Sequence, residues 1–553
     1  MREAKIRPAA WLAVSVSVCC GVYLFFIAPR LALPHAEDEI YNLLTAISLF
    51  EKGRFDLLFS QPLYEICLQP FFRMCGTEGT GPRMLGVFSA LVMFSAMGVW
   101  ARVLQVKGRL NESFAVIAAS GLLAVSHLLH AATMVTDRDC TVMIPLGLCA
   151  LILSYAAMRV SQAWLYAVAA LAWALFFWTK MSTPVIWACV WIGYAALTAP
   201  GIGKKTAAAF LPVAGGIVFA LSWALVAPSL GVDFSSVFRS GLHGAAGKGF
   251  LPLHEPAYLA ANLFSLFFWC TPYWLIVFVA GVWACVRRRF DDGLFDLAVL
   301  LSLSVFLYCG AVAMDSGFPK YYLPALPWLA YIAGRLFVVS GVRSVAAFSW
   351  AALSFLYFSL ACSDMFYLYR VTLREALVGD AGVRSVCVML LLECVKLFVP
   401  LLALGAWAAF ARQDRRWFVG MVAVLAFSCT ASYALRLRQA PYTTAYSYGE
   451  RGHGAMYAYI TPYLEKGMAL FATKNIIYHV NKHGPFVGAQ AMTDEEYVLG
   501  RIAKRDTVFV LSLPSNGTET LRMFRSGPVK TALSAGYAMR TFGSFEVWVP
   551  RID

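Results

Sequence analysis

Charge is scarce in this 553-residue chain: Asp, Glu, Lys and Arg together make up 14% of it, against about 25% in an ordinary soluble domain. That scarcity excludes a soluble fold, because residues of the AVILMFWYC set reach 60% and the mean hydropathy is +0.67. So much apolar surface needs lipid as its main solvent. In lipid every backbone polar group must find an internal partner, and the apolar runs here are long rather than short and alternating. Both facts select helices over a barrel. Also missing is any basic stripe. The net charge of +14 comes from Lys and Arg scattered through short loops, so it reads as a topology signal and a contact to anionic lipid, not to nucleic acid. No metal-type CxxC cluster occurs, and no cysteine follows Cys429, so the C-terminal tail has no disulfide. Most of the 14 cysteines, Cys19, Cys20, Cys149 and Cys309 among them, lie inside apolar runs as small packing groups. Internal repeats of the transporter kind and low-complexity stretches are absent too.

What is present is a series of 13 apolar runs. They fall near residues 9–28, 84–104, 114–129, 140–158, 164–178, 183–199, 207–227, 258–286, 294–314, 322–339, 346–362, 386–411 and 417–435. The first follows Arg2, Lys5 and Arg7 and lacks a clean cleavage site, so it reads as a retained span rather than a signal peptide. The pair flanking Lys180 is short and separated only by a turn at that residue. Alternate loops carry Lys107/Arg109, Arg159, Lys204/Lys205, Arg287–Arg289, Arg343 and Arg412/Arg415/Arg416, all on the side of the basic N-terminus. The positive-inside rule makes that side cytoplasmic. The expectation is therefore an all-α polytopic inner-membrane protein with residues 1–436 in the membrane domain. A first external loop spans 29–83, and a small extracytoplasmic (periplasmic) α/β domain spans 437–553. In that tail, 475–480, 507–513 and 544–549 read as strands and 494–504 as a helix.

The ionisable residues collect on the external face. The first loop opens with Glu37-Asp38-Glu39, followed by an amphipathic stretch (Ile40, Leu43, Leu44, Ile47, Phe50) and Gly53. Helix capping by Asp38 explains the acids without chemistry. A second amphipathic stretch, 63–74, would also lie along the interface and help to roof a cavity. The next external loop holds Thr136-Asp137-Arg138-Asp139, again readable as a cap. Thr179-Lys180 ends the fifth run, where a Lys ordinarily snorkels. Before the run at 322 stands Phe318-Pro319-Lys320-Tyr321-Tyr322-Leu323-Pro324, readable as aromatic anchoring. His35 and His130 lie near the acids; a lone interfacial His is more often structural. Each feature is unremarkable alone. Together they place acids and bases at the ends of separate helices on one face, which suits an anionic lipid headgroup with a proton acceptor beside it.

In order, these motifs resemble the polyprenyl-phosphate-sugar-dependent GT-C glycosyltransferases, in particular the aminoarabinose lipid A transferases and the protein O-mannosyltransferases. Asp38, Glu39, Ala46 and Gly53 keep the family's first-loop spacing. Pro62-Leu63-Tyr64, Gly76 and Arg83 match the next motif. Asp137, or alternatively Asp139, heads the helix containing Leu146-Gly147-Leu148. Thr179-Lys180 and Tyr321-Tyr322-Leu323-Pro324-Ala325-Leu326-Pro327 follow in order. The likeness covers about the first 340 residues. One departure stands out: many relatives carry Lys-Pro-Pro-Leu where this chain has Ser60-Gln61-Pro62-Leu63, so the Lys expected at the donor phosphate is missing.

The resemblance implies transfer of a sugar from a polyprenyl phosphate, with inversion, to a lipid, glycan or protein acceptor. Asp38 would be the general base, with Glu39 and Asp137 orienting the acceptor or tuning Asp38. Arg83, Arg138, Lys180 and Lys320 would be the cations at the leaving phosphate, and Tyr64, Tyr321 and Tyr322 further substrate contacts. Arg83 leads, since a guanidinium holds two phosphate oxygens at once. No cofactor is certain from the sequence; a divalent metal is possible, with Asp38, Glu39 and Asp137 as its oxygen ligands. The alternative reading is a transporter or flippase of a lipid-linked anion, which would need polar residues along a path through the membrane.

Overall fold

Each of the 13 predicted runs falls on a helix in the computed structural model, which describes residues 8–31, 37–55, 58, 61–77, 79–134, 141–235, 256–287, 293–311, 322–362, 383–411, 414–439, 452–473, 476–477, 486–487, 494–512 and 518–551. The helices are α1 (Pro8–Ile27), α2 (Glu37–Lys52), α3 (Leu63–Cys75), α4 (Gly81–Val106), α5 (Leu110–Ala124), α6 (His127–Met134), α7 (Met143–Val160), α8 (Ala163–Phe177), α9 (Ser182–Thr198) and α10 (Ile202–Val226). They continue with α11 (Pro256–Val286), α12 (Gly293–Ala311), α13 (Leu326–Ser340), α14 (Ser344–Ala361), α15 (Val383–Phe410) and α16 (Arg415–Gln439). Among the described residues, eight helices are long and apolar enough to cross a membrane. The α5–α6 pair, bent by 57°, makes a ninth if it is one broken span rather than a re-entrant loop, and shorter apolar helices lie at 163–177, 182–198, 271–286 and 293–308. This is an all-α multi-pass membrane architecture.

The bends have local causes. Between α5 and α6 the hydroxyl of Ser126 accepts from the Leu129 amide at 3.3 Å, an N-cap that starts a new helix inside one apolar run. Helix α11 breaks at Thr271, which sits at φ +61 ahead of Pro272, because a proline disfavours helical backbone in the residue before it. Close helix approach depends on small residues. A Cβ on Gly86 of α4 would meet the Thr133 carbonyl oxygen of α6 at 2.9 Å, so glycine sets that crossing.

The chain forms two compact units: residues 1–31, 42–361 and 397–435 in the first, and 32–41, 362–396 and 436–553 in the second. The second contains a five-stranded sheet of β1 (Ala469–Phe471), β2 (Phe486–Val487), β3 (Thr507–Ser512), β4 (Tyr537–Phe542) and β5 (Phe545–Pro550), ordered β2-β1-β3-β5-β4. The first three strands are parallel, and β5 and β4 are antiparallel. Alternation on β3 builds both cores. Phe509 and Leu511 pack with Val498, Ile502 and Phe524 on one face, and Val508 and Val510 pack with Met456 and Ile460 on the other. The helices on these faces are α17 (His453–Glu465), α18 (Glu495–Lys504), α19 (Thr518–Arg525) and α20 (Gly527–Gly536). Of the expected strand at 475–480 only Ile476 and Ile477 are among the described residues, and their amides donate to the Thr473 carbonyl in a helical turn; a strand lies upstream at Ala469–Phe471. The expected helix stands, with Asp494 capping it by accepting from the Tyr497 amide at 3.0 Å.

Candidate functional site

Within the first unit, several motif residues gather at one end of the helices. Arg83, in the first turn of α4, is 0% exposed. Its Nε donates to the Met134 carbonyl at 2.9 Å and its Nη1 to the Leu31 carbonyl at 3.0 Å. One guanidinium thus ties the ends of α1, α4 and α6 together. Below it, Tyr23 and Thr133 share a 2.6 Å hydroxyl hydrogen bond, and Phe26 stacks on the His130 ring at 5.0 Å. His130 is fixed to the Ala124 carbonyl at 2.8 Å, a structural role in keeping with its reading from the sequence.

The motif around Tyr64 meets the motif around Lys180. The Leu63 amide at the start of α3 donates to the Trp178 carbonyl at 3.3 Å, and Thr179 is held by the Phe176 carbonyl at 2.6 Å. Tyr64 is buried with Leu43, Ala46, Leu68, Phe72 and Leu85, so α3 lies across α2 and α4. Gln69 fastens it by donating to the Ala46 carbonyl at 3.1 Å. Helix α2 ends at Lys52, followed by Gly53 at φ +68, backbone that any side chain would strain. The turn at Leu323–Ala325 is buried and packs near α6. Just beyond it, the Trp328 ring lies 6.0 Å from that of Trp187 on α9. Tyr322 is buried and Lys180 is partly exposed.

Asp38 and Glu39 fall in the first turn of α2, which begins at Glu37, and they belong to the second unit. Asp38 is therefore inside the helix rather than at its capping position, where carboxylates still favour the N-terminal dipole. Their side chains lie outside the described residues, as do Asp137, Arg138, Asp139, Lys320 and Tyr321. Among the described residues no group of three His, Cys, Asp or Glu could hold a metal ion.

Three charged positions were not singled out from the sequence. Arg30 is buried at the end of α1, and Glu65 is fully buried in the first turn of α3. An arginine at the end of the first span that the loop charges predict to be external runs against the positive-inside pattern, and that anomaly was the available signal. For Glu65, an acid on the apolar side of an amphipathic helix would have served. Burial, reinforced by the Glu65 carboxylate, pushes the nearby Cys67 thiol up. In the second unit, Glu393 is buried on α15 and accepts from Lys396 at 2.7 Å, an ion pair near the start of a predicted span.

No protein-family model and no curated protein matches this chain. Among solved structures, the apo crystal structure of ArnT from Cupriavidus metallidurans matches with a TM-score of 0.51 and 14% sequence identity, over 97% of this chain and 97% of that one. The fold is that of ArnT. The ArnT fold spans nearly the whole chain, so the GT-C resemblance drawn from the motifs is borne out at the level of fold. The crystal structure of ArnT from the same organism bound to undecaprenyl phosphate matches at a TM-score of 0.48 and 14% identity, covering 98% of each chain.

Proposed function

We propose that this protein is a membrane glycosyltransferase that moves a sugar from a polyprenyl phosphate to a lipid, glycan or protein acceptor, with inversion. The observation that carries the reading is convergence. The stretches bearing Arg83, Tyr64, Thr179-Lys180 and Tyr322 come from distant parts of the sequence and meet at one end of the helices, in a chain with the ArnT fold. Asp38 takes the proton of the attacking hydroxyl, and Glu39 and Asp137 orient the acceptor. Arg138, Lys180 and Lys320 neutralise the leaving phosphate. Arg83 contributes charge from behind, as two of its donor atoms already hold backbone carbonyls. Tyr64, Tyr321 and Tyr322 shape the substrate groove.

The active face is the periplasmic side of the inner membrane. The N-terminus is cytoplasmic, residues 1–436 form the membrane domain, and residues 437–553 form the extracytoplasmic domain. Asp38, Glu39 and Asp137 are suitable oxygen ligands for a divalent metal, should the transfer use one. The test is comparative mass spectrometry of lipids, glycans and secreted proteins from cells with and without the protein. One acceptor class should lose a pentose- or hexose-sized mass. If all three classes stay unchanged while a lipid-linked sugar accumulates on one leaflet, the protein is a flippase and the proposal fails.

A further inference from the structure

A cavity lies at the end of α13 away from the Leu323–Ala325 turn. Helix α13 carries the buried Leu323–Ala325 turn at its start, while Leu336, Val339 and Ser340 at its end line a cavity of about 1290 Å³. The 15 residues of α13 separate the two ends by roughly 22 Å at about 1.5 Å per residue. The remaining walls come from the end of α11, the end of α15 and the start of α16. The volume exceeds the roughly 300–1,000 Å³ of small-molecule pockets.

The lining has two chemistries. Ile276, Val279, Leu336 and Val339 make an apolar wall, and Arg287, Arg415 and Arg416 complete the lining with positive charge. The lone lining acid, Asp414, accepts from the backbone amide of Arg416 at 3.0 Å, so its carboxylate caps α16. Among the described residues none of the three arginines forms an ion pair with a carboxylate. Tryptophans mark this level as the membrane–water boundary. Trp283 on the cavity wall is 46% exposed, and the Trp407 and Trp417 rings pack edge to face at 4.7 Å beside it in sequence.

We propose that this cavity binds an anionic phospholipid, with Arg287, Arg415 and Arg416 on its phosphate and the α11–α13 wall along its acyl chains. Unbalanced guanidinium charge selects the anionic headgroup. The apolar wall selects a lipid over a free phosphate, which would need polar partners all round. The site is independent of the proposed transfer chemistry and would tie activity or stability to the lipid composition of the leaflet on the basic-loop side.

Native mass spectrometry of the delipidated full chain in detergent tests this. The probes are phosphatidylglycerol and phosphatidylcholine with identical chains. The wild type should retain phosphatidylglycerol in preference. The triple variant Arg287→Gln/Arg415→Gln/Arg416→Gln should bind it about 100-fold more weakly, at roughly fivefold per basic residue near a lipid surface. Ala280→Trp, which fills the wall and keeps every charge, should also lose the lipid. Lys204→Gln/Lys205→Gln removes basic charge outside the cavity and should bind as the wild type does. Equal affinity for the two lipids overturns the proposal, as does an undiminished preference in either cavity variant. Displacement of the lipid by equimolar glycerol phosphate would make this a soluble-anion site and likewise overturn it.

Discussion

Replacing Arg83 by Met separates its structural and its chemical roles. Methionine keeps similar length and apolar bulk but donates no hydrogen bond. The variant loses two charge-assisted bonds, of 2.9 Å to Met134 and 3.0 Å to Leu31, and strands one buried and one part-buried carbonyl. Each such bond contributes about 1.5–3 kcal/mol. The two share one guanidinium and are not additive, so the expected loss is about 3 kcal/mol, a melting point lower by several degrees. Arg83→Lys keeps the charge but reaches one carbonyl at a time, and should recover about half. Thermal unfolding in matched detergent and lipid reads both variants, with Lys107→Ala as a surface control. Turnover adds the second dimension. If Arg83 also serves the phosphate, Arg83→Lys should be at least about tenfold slower than its stability alone explains, since a loss of about 1.5 kcal/mol in a charged contact is already tenfold. An Arg83→Met protein that melts within a degree of the wild type would refute the structural argument.

Other expectations are simpler to check. Tyr23→Phe removes the 2.6 Å bond to Thr133 and should cost about 1 kcal/mol, seen as a lower melting point with turnover per folded molecule unchanged. Asp494→Ala should cost about 1 kcal/mol in the second unit through loss of the α18 cap, while Asp494→Asn should be close to neutral; circular dichroism of the full chain against denaturant distinguishes them. A topology reporter fused after Arg436 should be active only outside the cytoplasm. A cytoplasmic signal there would mean one span fewer or more, with the short α8–α9 pair the first suspect.

The membrane architecture was legible because 3.6-residue geometry and lipid thickness leave few options for long apolar runs, and even the short runs beside Lys180 became helices. Gly53 was legible as a motif residue, and its positive φ supplies the reason. Arg83 was legible as an important cation but not in its partners. Both are backbone carbonyls, at Leu31 and Met134, and backbone acceptors leave no mark on side-chain identity. Glu65 escaped notice because its burial is completed only where α3 packs on α4, although its place on the apolar side of the helix was a local sign of it. The short strands β1 and β2 were missed for a related reason: three and two residues are too few to show a period, and pairing with β3 defines them. Asp494–Lys504 was read correctly because a cap, acids in the first turn and Lys at the end agree locally.

The most direct test of the central claim is turnover by purified Asp38→Asn protein, followed as release of polyprenyl phosphate from its sugar conjugate in the presence of the acceptor fraction found by mass spectrometry. Asparagine keeps the shape of the side chain and removes its capacity to take a proton. The account predicts a melting point like that of the wild type and a rate lower by about 100- to 10,000-fold, the usual contribution of a positioned base. Glu39→Gln, measured alongside, should bind acceptor less well and keep more of its rate. Near wild-type turnover in a well-folded Asp38→Asn protein would contradict the account and pass the role to Asp137 or Asp139.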